Sequence, residues 1–399
     1  MGISIGMVGL GAFGSSFVPL FKSHPLVDRI ALCDRVPERI REFAEKDSLQ
    51  DKFDPSDCYD SLDALLKSDI QAVVIITQHW LHGHQAIQAM KAGKHVYAAV
   101  PLLSVYEGDE ILDVCSRVVT TVQETGMHFM YGETTYYRPE AMFCRRKAAE
   151  GAFGEFVYAE GEYFHDYSHG LKQVSERRMG SIAGQEFREA MIKKYGKMPS
   201  AGPMHYPTHS TCGPICTMNA HMKRVWCLPQ LALDEARKGT IVNETAMFEM
   251  SNGATCRISE YRQIGFGGRE TFRVYGTEGS FEHKTWHEKN SSTPLTEDEM
   301  RDPLPTEVVE AFTGWRAHAS ANAGKLSEQE RKDFLGGHGG SHAYLVHEFC
   351  DAIANDRRPA ITAWDAARYT AAGVMAHKSA IAGGEVLDVP DWGDPPPAD

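Results

Sequence analysis

The sequence feature that most constrains the fold is a glycine-rich turn between a short apolar run and a helical stretch. Residues 3–8 are mainly apolar, and residues 9–14 read GLGAFG. In a strand, turn and helix of this kind, the first glycine allows the tight turn and the second lets the backbone approach a pyrophosphate. The third lets the helix pack on the strand. The pattern predicts a dinucleotide site with the loop residues Gly9, Gly11, Ala12, Phe13 and Gly14.

The second predicted strand ends in two side chains of opposite charge. Residues 29–33 form a mainly apolar run that is followed by Asp34 and Arg35. In such a unit an acidic side chain accepts hydrogen bonds from the ribose hydroxyls and would repel a 2′-phosphate. Arg35 could instead pair with that phosphate. We expect both residues at the cofactor and predict NAD rather than NADP. A glycine-rich turn without a ligand is the alternative, which Asp34 disfavours.

The rest of the first 135 residues alternates between predicted strands and helices. Further strands are predicted at residues 72–76, 95–98 and 128–131. Helices are predicted at residues 37–44, 61–66, 84–92 and 105–124. This alternation indicates an α/β fold, a Rossmann domain with a doubly wound parallel sheet over residues 1–135.

The pattern changes after residue 135. Helices are predicted at residues 139–150, 341–354 and 362–383, a strand at 156–164, and hairpins at 245–261 and 271–284. These elements predict a C-terminal α+β domain, residues 136–399, with an open, mainly antiparallel sheet. Residues 165–205 and 285–337 resist assignment. We expect the first stretch to be partly helical and near the site, because long irregular stretches in compact domains are often functional.

Charge and cysteine content argue against several classes of protein. The formal net charge is −13 and no basic stripe occurs, so we predict no nucleic-acid partner. Since no apolar run reaches the length that crosses a bilayer, we predict no membrane association. The nine cysteines include no C-x-x-C pair. This favours reduced thiols and a cytoplasmic location over a zinc site or a disulfide framework.

Polar side chains follow the third predicted strand at the edge where ligands bind in open α/β sheets. Thr77, His79 and His82 lie in this turn, and we expect them at the dinucleotide. Together with His84 the two histidines could also form a metal site. Because no carboxylate or cysteine joins them locally, we favour cofactor contacts and predict no metal.

Two further motifs resemble a known family. Residues 92–96 read AGKHV and lead to Ala99, Val100 and Pro101, and residues 151–155 read GAFGE. With the glycine turn and the turn at residues 77–82, these resemble the Gfo/Idh/MocA oxidoreductase family. In that family the proline usually follows Glu-Lys, and the lysine assists catalysis beside the nicotinamide. The resemblance implies that Pro101 contacts the cofactor and that the lysine is replaced by Val100.

Three more motifs are similar to the NAD-dependent α-N-acetylgalactosaminidase branch of that family, which also lacks the lysine. Residues 160–165 read EGEYFH, residues 206–209 read YPTH, and residues 337–340 read GHGG. The resemblance implies that His209, Tyr206 and Tyr163 are catalytic. It also implies that Glu133 lies near the nicotinamide and that His338 contacts the substrate.

The resemblance implies hydrolysis of a glycoside through redox chemistry. A sugar hydroxyl is oxidised to a ketone with tightly held NAD, which acidifies the adjacent C–H group. A base removes that proton, the leaving group is eliminated, water adds, and the hydride returns. His209 is the expected base, since an unperturbed histidine titrates near neutrality. Two alternatives stay open, a plain NAD-dependent sugar or polyol dehydrogenase and a non-catalytic NAD-binding sensor.

Arginines occur in the two stretches that resist assignment. Arg177 and Arg178 lie in the first stretch, and Arg316 lies in the second. Because the guanidinium group binds anionic groups with two parallel hydrogen bonds, these side chains could bind an anionic sugar. A solvated surface position is the alternative for each of them. We also expect the chain to form a homo-oligomer through the C-terminal sheet.

Overall fold

The first 135 residues form a parallel sheet flanked by helices. The computed structural model describes residues 2–45, 51–319 and 337–397. Its first elements are β1 (Ile3–Val8), α1 (Val18–Ser23), β2 (Val27–Cys33), α2 (Pro37–Ala44), β3 (Cys58–Tyr59), α3 (Leu62–Leu66), β4 (Ala72–Ile75), α4 (His82–Lys91), β5 (His95–Ala99), α5 (Gly108–Thr125) and β6 (Phe129–Gly132). The strand order is β3-β2-β1-β4-β5-β6, with every pair parallel. The predicted doubly wound sheet is confirmed, and its order reverses between β1 and β4, where such sheets bind ligands.

The second half is built around a larger, mainly antiparallel sheet. Its elements are α6 (Pro139–Ala149), β7 (Phe156–His165), α7 (Lys172–Gly180), α8 (Ile182–Tyr195), α9 (Thr208–Met218), β8 (Met222–Leu231), β9 (Ile241–Met250), β10 (Thr255–Tyr261), β11 (Gly268–Gly276), β12 (Gly279–Glu282), β13 (Thr285–Glu288), β14 (Ser291–Pro294), α10 (Glu297–Met300), α11 (Thr306–Ala319), α12 (Ser341–Ala354), α13 (Ala363–Ile381) and β15 (Leu387–Asp388). The nine strands run in the order β14-β13-β12-β11-β7-β10-β9-β8-β15. Strands β7 and β10 pair in parallel and the others antiparallel, which confirms the predicted sheet and both hairpins.

Helix α9 carries site residues and packs closely on this sheet. At Gly161 in β7, a Cβ atom would lie 1.8 Å from the carbonyl oxygen of Ser210 in α9. Only glycine allows that approach, so α9 lies directly on the strand that carries Tyr163. On β8, Val225 and Cys227 are buried. The alternating residues, Trp226 and Leu228 among them, are exposed.

The last two long helices return to the first domain. Helix α13 packs against α5, and α12 packs against α1. The ring of Phe349 in α12 lies 6.2 Å from that of Phe21 and 5.7 Å from that of Tyr97, measured between centroids. The two predicted domains therefore share an extensive apolar interface.

The stretch of residues 165–205 contains two helices, α7 and α8, which form a helical hairpin. It is partly helical, as predicted. The stretch of residues 285–337 holds β13, β14, α10 and α11, and residues 320–336 lie outside the described residues. Of the helices that the structure describes, none is both long and apolar enough to cross a membrane. All nine cysteines are free thiols.

Candidate active site

The glycine turn has the geometry of a dinucleotide cradle. Gly9 has a φ of +93°, and a Cβ atom there would lie 2.4 Å from the carbonyl oxygen of Ile76. At Gly14 a Cβ atom would lie 2.0 Å from the carbonyl oxygen of Gly9. A Cβ atom at Gly11 would meet nothing within 4 Å, because Gly11 faces open space. The turn thus leaves room beside its second glycine, as close approach of a pyrophosphate requires.

Asp34 is fixed beside this turn by two backbone amides. Its Oδ2 atom accepts a hydrogen bond from the N–H of Leu10 at 2.8 Å, and its Oδ1 atom accepts one from the N–H of Val36 at 2.9 Å. Arg35 points to the second domain, where both terminal nitrogens donate to the carboxylate of Glu186 in α8, each at 2.8 Å. The two predicted cofactor residues therefore have different surroundings, since only the arginine is paired across domains.

The turn after β4 contacts the helical hairpin. Arg178 in α7 donates a hydrogen bond to Nδ1 of His79 at 3.1 Å. Burial lowers the pKa of His79, with the charge of Arg178 acting in the same direction. The hydroxyl of Thr77 bonds within its own domain, 2.5 Å from Oε1 of Gln85. His79 is thus a neutral ring held between the first domain and the hairpin.

The three histidines of this turn have separate partners. Nδ1 of His82 lies 2.9 Å from the carbonyl oxygen of Pro101, which follows a cis peptide bond, and burial lowers the pKa of His82 to about 4. Nε2 of His84 lies 3.6 Å from a carboxylate oxygen of Glu110 in α5. Within residues 2–45, 51–319 and 337–397, no group of three or more His, Cys, Asp or Glu side chains is arranged to hold a metal ion.

The centre of the site is a buried pair formed by Glu133 and His209. Glu133 follows β6, and His209 lies in the first turn of α9, with Nδ1 placed 2.8 Å from Oε1 of Glu133. Oε1 also accepts the N–H of Thr135. Burial opposes both charges, yet each stabilises the other: the pKa of Glu133 falls to about 2 and that of His209 rises to about 9. The pKa of His209 therefore lies above the ordinary histidine value that the sequence analysis assumed, because folding places a carboxylate from 76 residues away beside the ring.

Two tyrosines surround the free side of the His209 ring. Oη of Tyr206 lies 3.2 Å from Nε2 of His209. The ring of Tyr163 in β7 lies 5.1 Å from that of His209, edge to face, and its hydroxyl lies 3.0 Å from Nδ1 of His165. Burial raises the pKa of both phenols, and it lowers the pKa of His165. All three residues predicted to be catalytic are thus brought together.

His338 connects this cluster to the glycine turn. Its ring lies 6.4 Å from that of His209 and 6.1 Å from that of Phe13. Its Nδ1 lies 3.0 Å from Nε2 of His342 in α12, and its φ of +53° places it in the left-handed region, followed by two glycines. The His209 cluster therefore faces the dinucleotide cradle across the domain interface.

Family models match both halves of this chain. The NAD-binding Rossmann fold of the oxidoreductase family Gfo/Idh/MocA matches residues 3–126, and its C-terminal alpha/beta domain matches residues 236–387. This chain belongs to the Gfo/Idh/MocA oxidoreductase family. The predicted NAD cofactor is confirmed by the Rossmann match.

The proteins that resemble this chain in sequence have glycosidase names, and those that resemble it in structure have dehydrogenase names. An alpha-N-acetylgalactosaminidase of Tannerella forsythia is 25% identical over 351 residues, which cover 80% of this chain and 70% of that protein. A glycosyl hydrolase family 109 protein of Solibacter usitatus is 23% identical and covers 98% of this chain and 88% of its own length. The solved structures of scyllo-inositol dehydrogenase from Lactobacillus casei and of levoglucosan dehydrogenase have TM-scores of 0.67 and 0.70. At 14% and 19% identity, covering 97% and 98% of this chain and 99% and 100% of theirs, they show the shared fold.

Several polar residues close to Tyr163 and His209 could not be identified from the sequence. His165 ends the motif at residues 160–165, but the motif predicts no role for it. Arg262 places its guanidinium 4.5 Å from the centroid of the Tyr163 ring and donates to Glu260 at 2.6 Å. Glu260 is fully buried, which raises its pKa to about 7, and it also accepts from the hydroxyl of Ser210. His165 lies on β7, Ser210 on α9, Glu260 on β10 and Arg262 directly after β10, and no local spacing pattern links them.

The predicted substrate arginines are placed differently from one another. Arg178 lies between the two parts of the site, because it binds His79 and its charge also acts on the Tyr206 phenol. Arg177 is exposed and directs its Nε atom to the carbonyl oxygen of Gln173 in its own helix, at 3.4 Å. Arg316 lies in α11, and its side chain is outside the described residues. Of the two arginines whose side chains the structure describes, Arg178 is the one that contacts the candidate site.

Proposed function

We propose that this chain is an NAD-dependent glycoside hydrolase that acts through transient oxidation, elimination, water addition and re-reduction. The observation that carries the proposal is the presence of two phenol–imidazole pairs, Tyr206 with His209 and Tyr163 with His165, in the cluster that faces the dinucleotide cradle. These pairs provide a route for protons in a chain that has Val100 where most of the family has lysine. The glycosidase names of two relatives that span most of this chain support the same reading.

Tyr206 and His209 move the proton of the hydroxyl that is oxidised. Bound NAD supplies the acceptor and later the donor of the hydride. Because Glu133 holds Nδ1 of His209, Nε2 is the ring nitrogen left for proton transfer, and Oη of Tyr206 lies 3.2 Å from it. The hydroxyl proton passes through Tyr206 to Nε2 as the C–H bond breaks. It returns by the same route when the ketone is reduced.

Tyr163 and His165 carry out the second proton transfer. The lowered pKa of His165 leaves its ring neutral at neutral pH, so it can accept the proton of the carbon next to the ketone through the Tyr163 hydroxyl. A C=C bond forms, the glycosidic C–O bond breaks, and the departing oxygen takes up that proton. Water then adds its hydroxyl to the anomeric carbon and its proton to the adjacent carbon, so that the net reaction is hydrolysis.

The plain dehydrogenase is the second candidate, and one observation favours it. Glu133, His209 and Tyr206 would suffice to oxidise an alcohol without help from Tyr163 and His165. The two reactions differ in their products. A hydrolase releases the aglycone without net NADH, whereas a dehydrogenase releases one NADH for each sugar that it oxidises.

The test is a panel of aryl glycosides, including the α-N-acetylgalactosaminide, assayed in D2O. We expect release of the aryl alcohol without net NADH, and deuterium at the carbon next to the oxidised one. Tyr163→Phe should abolish aryl release but keep the ability to oxidise free sugar. Stoichiometric NADH without aryl release in the unmodified enzyme would establish the dehydrogenase instead. If the protein binds NAD but turns over no sugar, the result would support the non-catalytic NAD-binding sensor.

A further inference from the structure

The end of β2 carries both side chains that usually distinguish NAD from NADP. An acidic residue here binds the ribose 2′-hydroxyl, and a nearby arginine accommodates a 2′-phosphate. Asp34 and Arg35 are adjacent in this chain, so Asp34 favours NAD whereas an unpaired Arg35 would offer a binding group for a 2′-phosphate. The second domain contributes a third charge at this point, the carboxylate of Glu186 in α8, which accepts both terminal nitrogens of Arg35 at 2.8 Å.

We infer that Glu186 determines the specificity for the cofactor by occupying Arg35. A guanidinium group that is paired bidentately with a carboxylate has its planar fork filled and its charge neutralised, and it cannot bind a phosphate in the same way. Both effects weaken the binding of NADP. Asp34 can then accept hydrogen bonds from the free ribose hydroxyls of NAD.

The other cation near Asp34 is also paired. Nη1 of Arg39 lies 3.4 Å from Oδ2 of Asp34. The carboxylate of Asp34 is 8% exposed and is held by two backbone amides, so its charge stays in place. Arg35 and Arg39 are therefore paired with Glu186 and Asp34 respectively, and removing the charge of Glu186 leaves Arg35 without its carboxylate partner.

The position of Glu186 does not depend on its own ion pair. Helix α8 begins at the Ser181 cap, whose hydroxyl lies 3.2 Å from Nε2 of Gln78 in the turn after β4. Phe187 stacks on Trp80 with ring centroids 4.3 Å apart and planes 13° apart. The Arg35–Glu186 side chains are 55% and 57% exposed, and exposed ion pairs contribute little to stability. The variant Glu186→Gln should therefore fold as the natural protein does.

The test is the dissociation constant of NAD and of NADP for four proteins: the unmodified chain, Glu186→Gln, Arg35→Ala and the double variant. Glu186→Gln should tighten NADP binding by about tenfold, because it frees one charge-assisted bidentate site. NAD binding should change by less than about twofold, because the ion pair is exposed. Arg35→Ala alone should have little effect on NADP, and in the double variant the gain should disappear.

Glu189→Gln is the matched control, because it makes the same change of charge on an exposed glutamate one turn along α8. It should leave NADP binding unchanged. The inference is overturned if Glu186→Gln does not tighten NADP binding, or if the gain equals that of Glu189→Gln. It is also overturned if the gain persists without Arg35. Since the readout is cofactor binding, the result is independent of which reaction the enzyme catalyses.

Discussion

Replacing Glu133 by glutamine tests whether this carboxylate sets the protonation state of His209. The two side chains are buried, and Oε1 of Glu133 lies 2.8 Å from Nδ1 of His209. Burial alone would lower the pKa of His209, but Glu133 and Glu270 raise it to about 9. With its pKa raised in this way, His209 is mainly protonated at pH 7. A reaction that needs neutral Nε2 should therefore become faster as the pH rises toward 9.

Glutamine keeps an oxygen that can accept the Nδ1–H bond but removes the negative charge. Burial then acts against only the weaker influence of Glu270, and we expect the pKa of His209 to fall. The rising limb of kcat/KM against pH, which reports groups of the free enzyme, should move to lower pH by the same amount. The assay is kcat/KM from about pH 5 to 10 on the best aryl glycoside, with a nitrogen NMR titration of labelled histidine as a direct reading.

Glu133→Ala is the companion variant, because it removes the charge and the hydrogen-bond acceptor together. This variant should shift the rising limb of kcat/KM to lower pH in a similar way. It should also lower kcat at every pH, because the His209 ring loses the hydrogen bond that orients it. A limb that stays at the same pH in Glu133→Gln would refute the reasoning. It would mean either that Glu133 does not set the pKa of His209 or that His209 is not the group that titrates in catalysis.

Four further outcomes are expected. His209→Ala should lower turnover by about 10²–10⁴-fold while NAD binding is kept, by kinetics and calorimetry. Glu133→Gln should lower the free energy of unfolding by about 3 kcal/mol, as loss of one partner of a buried ion pair does. This loss of unfolding free energy should be largest between pH 4.5 and pH 6.5, which are the ordinary pKa values of glutamate and histidine. It should shrink as the pH rises through about 9 or falls through about 2, and urea titration at each pH measures it. Arg178→Ala should raise KM, and Arg177→Ala should not. If the chain associates through the exposed face of β8, Trp226→Glu should yield monomers in sedimentation.

Much of the fold could be predicted because its signals are local. Strand β4 is apolar at every position, since helices cover both faces of a parallel sheet, and the hairpin of β9 and β10 turns at residues 251–253. The hairpin of α7 and α8 gave a weaker signal. Its helices have polar residues on most faces, because they lie across the site rather than in a core, and so they lack a clear apolar stripe.

The residue types of the site could be predicted, but their charge states could not. His209 and Tyr206 are three residues apart, so a motif contains both. Glu133 is 76 residues from His209, and Glu186 is 151 residues from Arg35. Such pairs exist only after the chain has folded. They decide whether the histidine carries a proton and whether the arginine is free, which local spacing cannot indicate.

The return of α12 and α13 to the first domain has a consequence for the order of folding during synthesis. The rings of Phe21 and Tyr97 lie against Phe349, and the N–H of Tyr131 in β6 donates to the carbonyl oxygen of Ile361. The ribosome has made the whole parallel sheet long before residues 341–381 emerge. Until then, the faces of α1 and α5 that these helices cover remain in contact with water. The nucleotide-binding half therefore reaches its full stability only after residues 341–381 have been made, and a fragment that ends at residue 135 would expose those apolar faces.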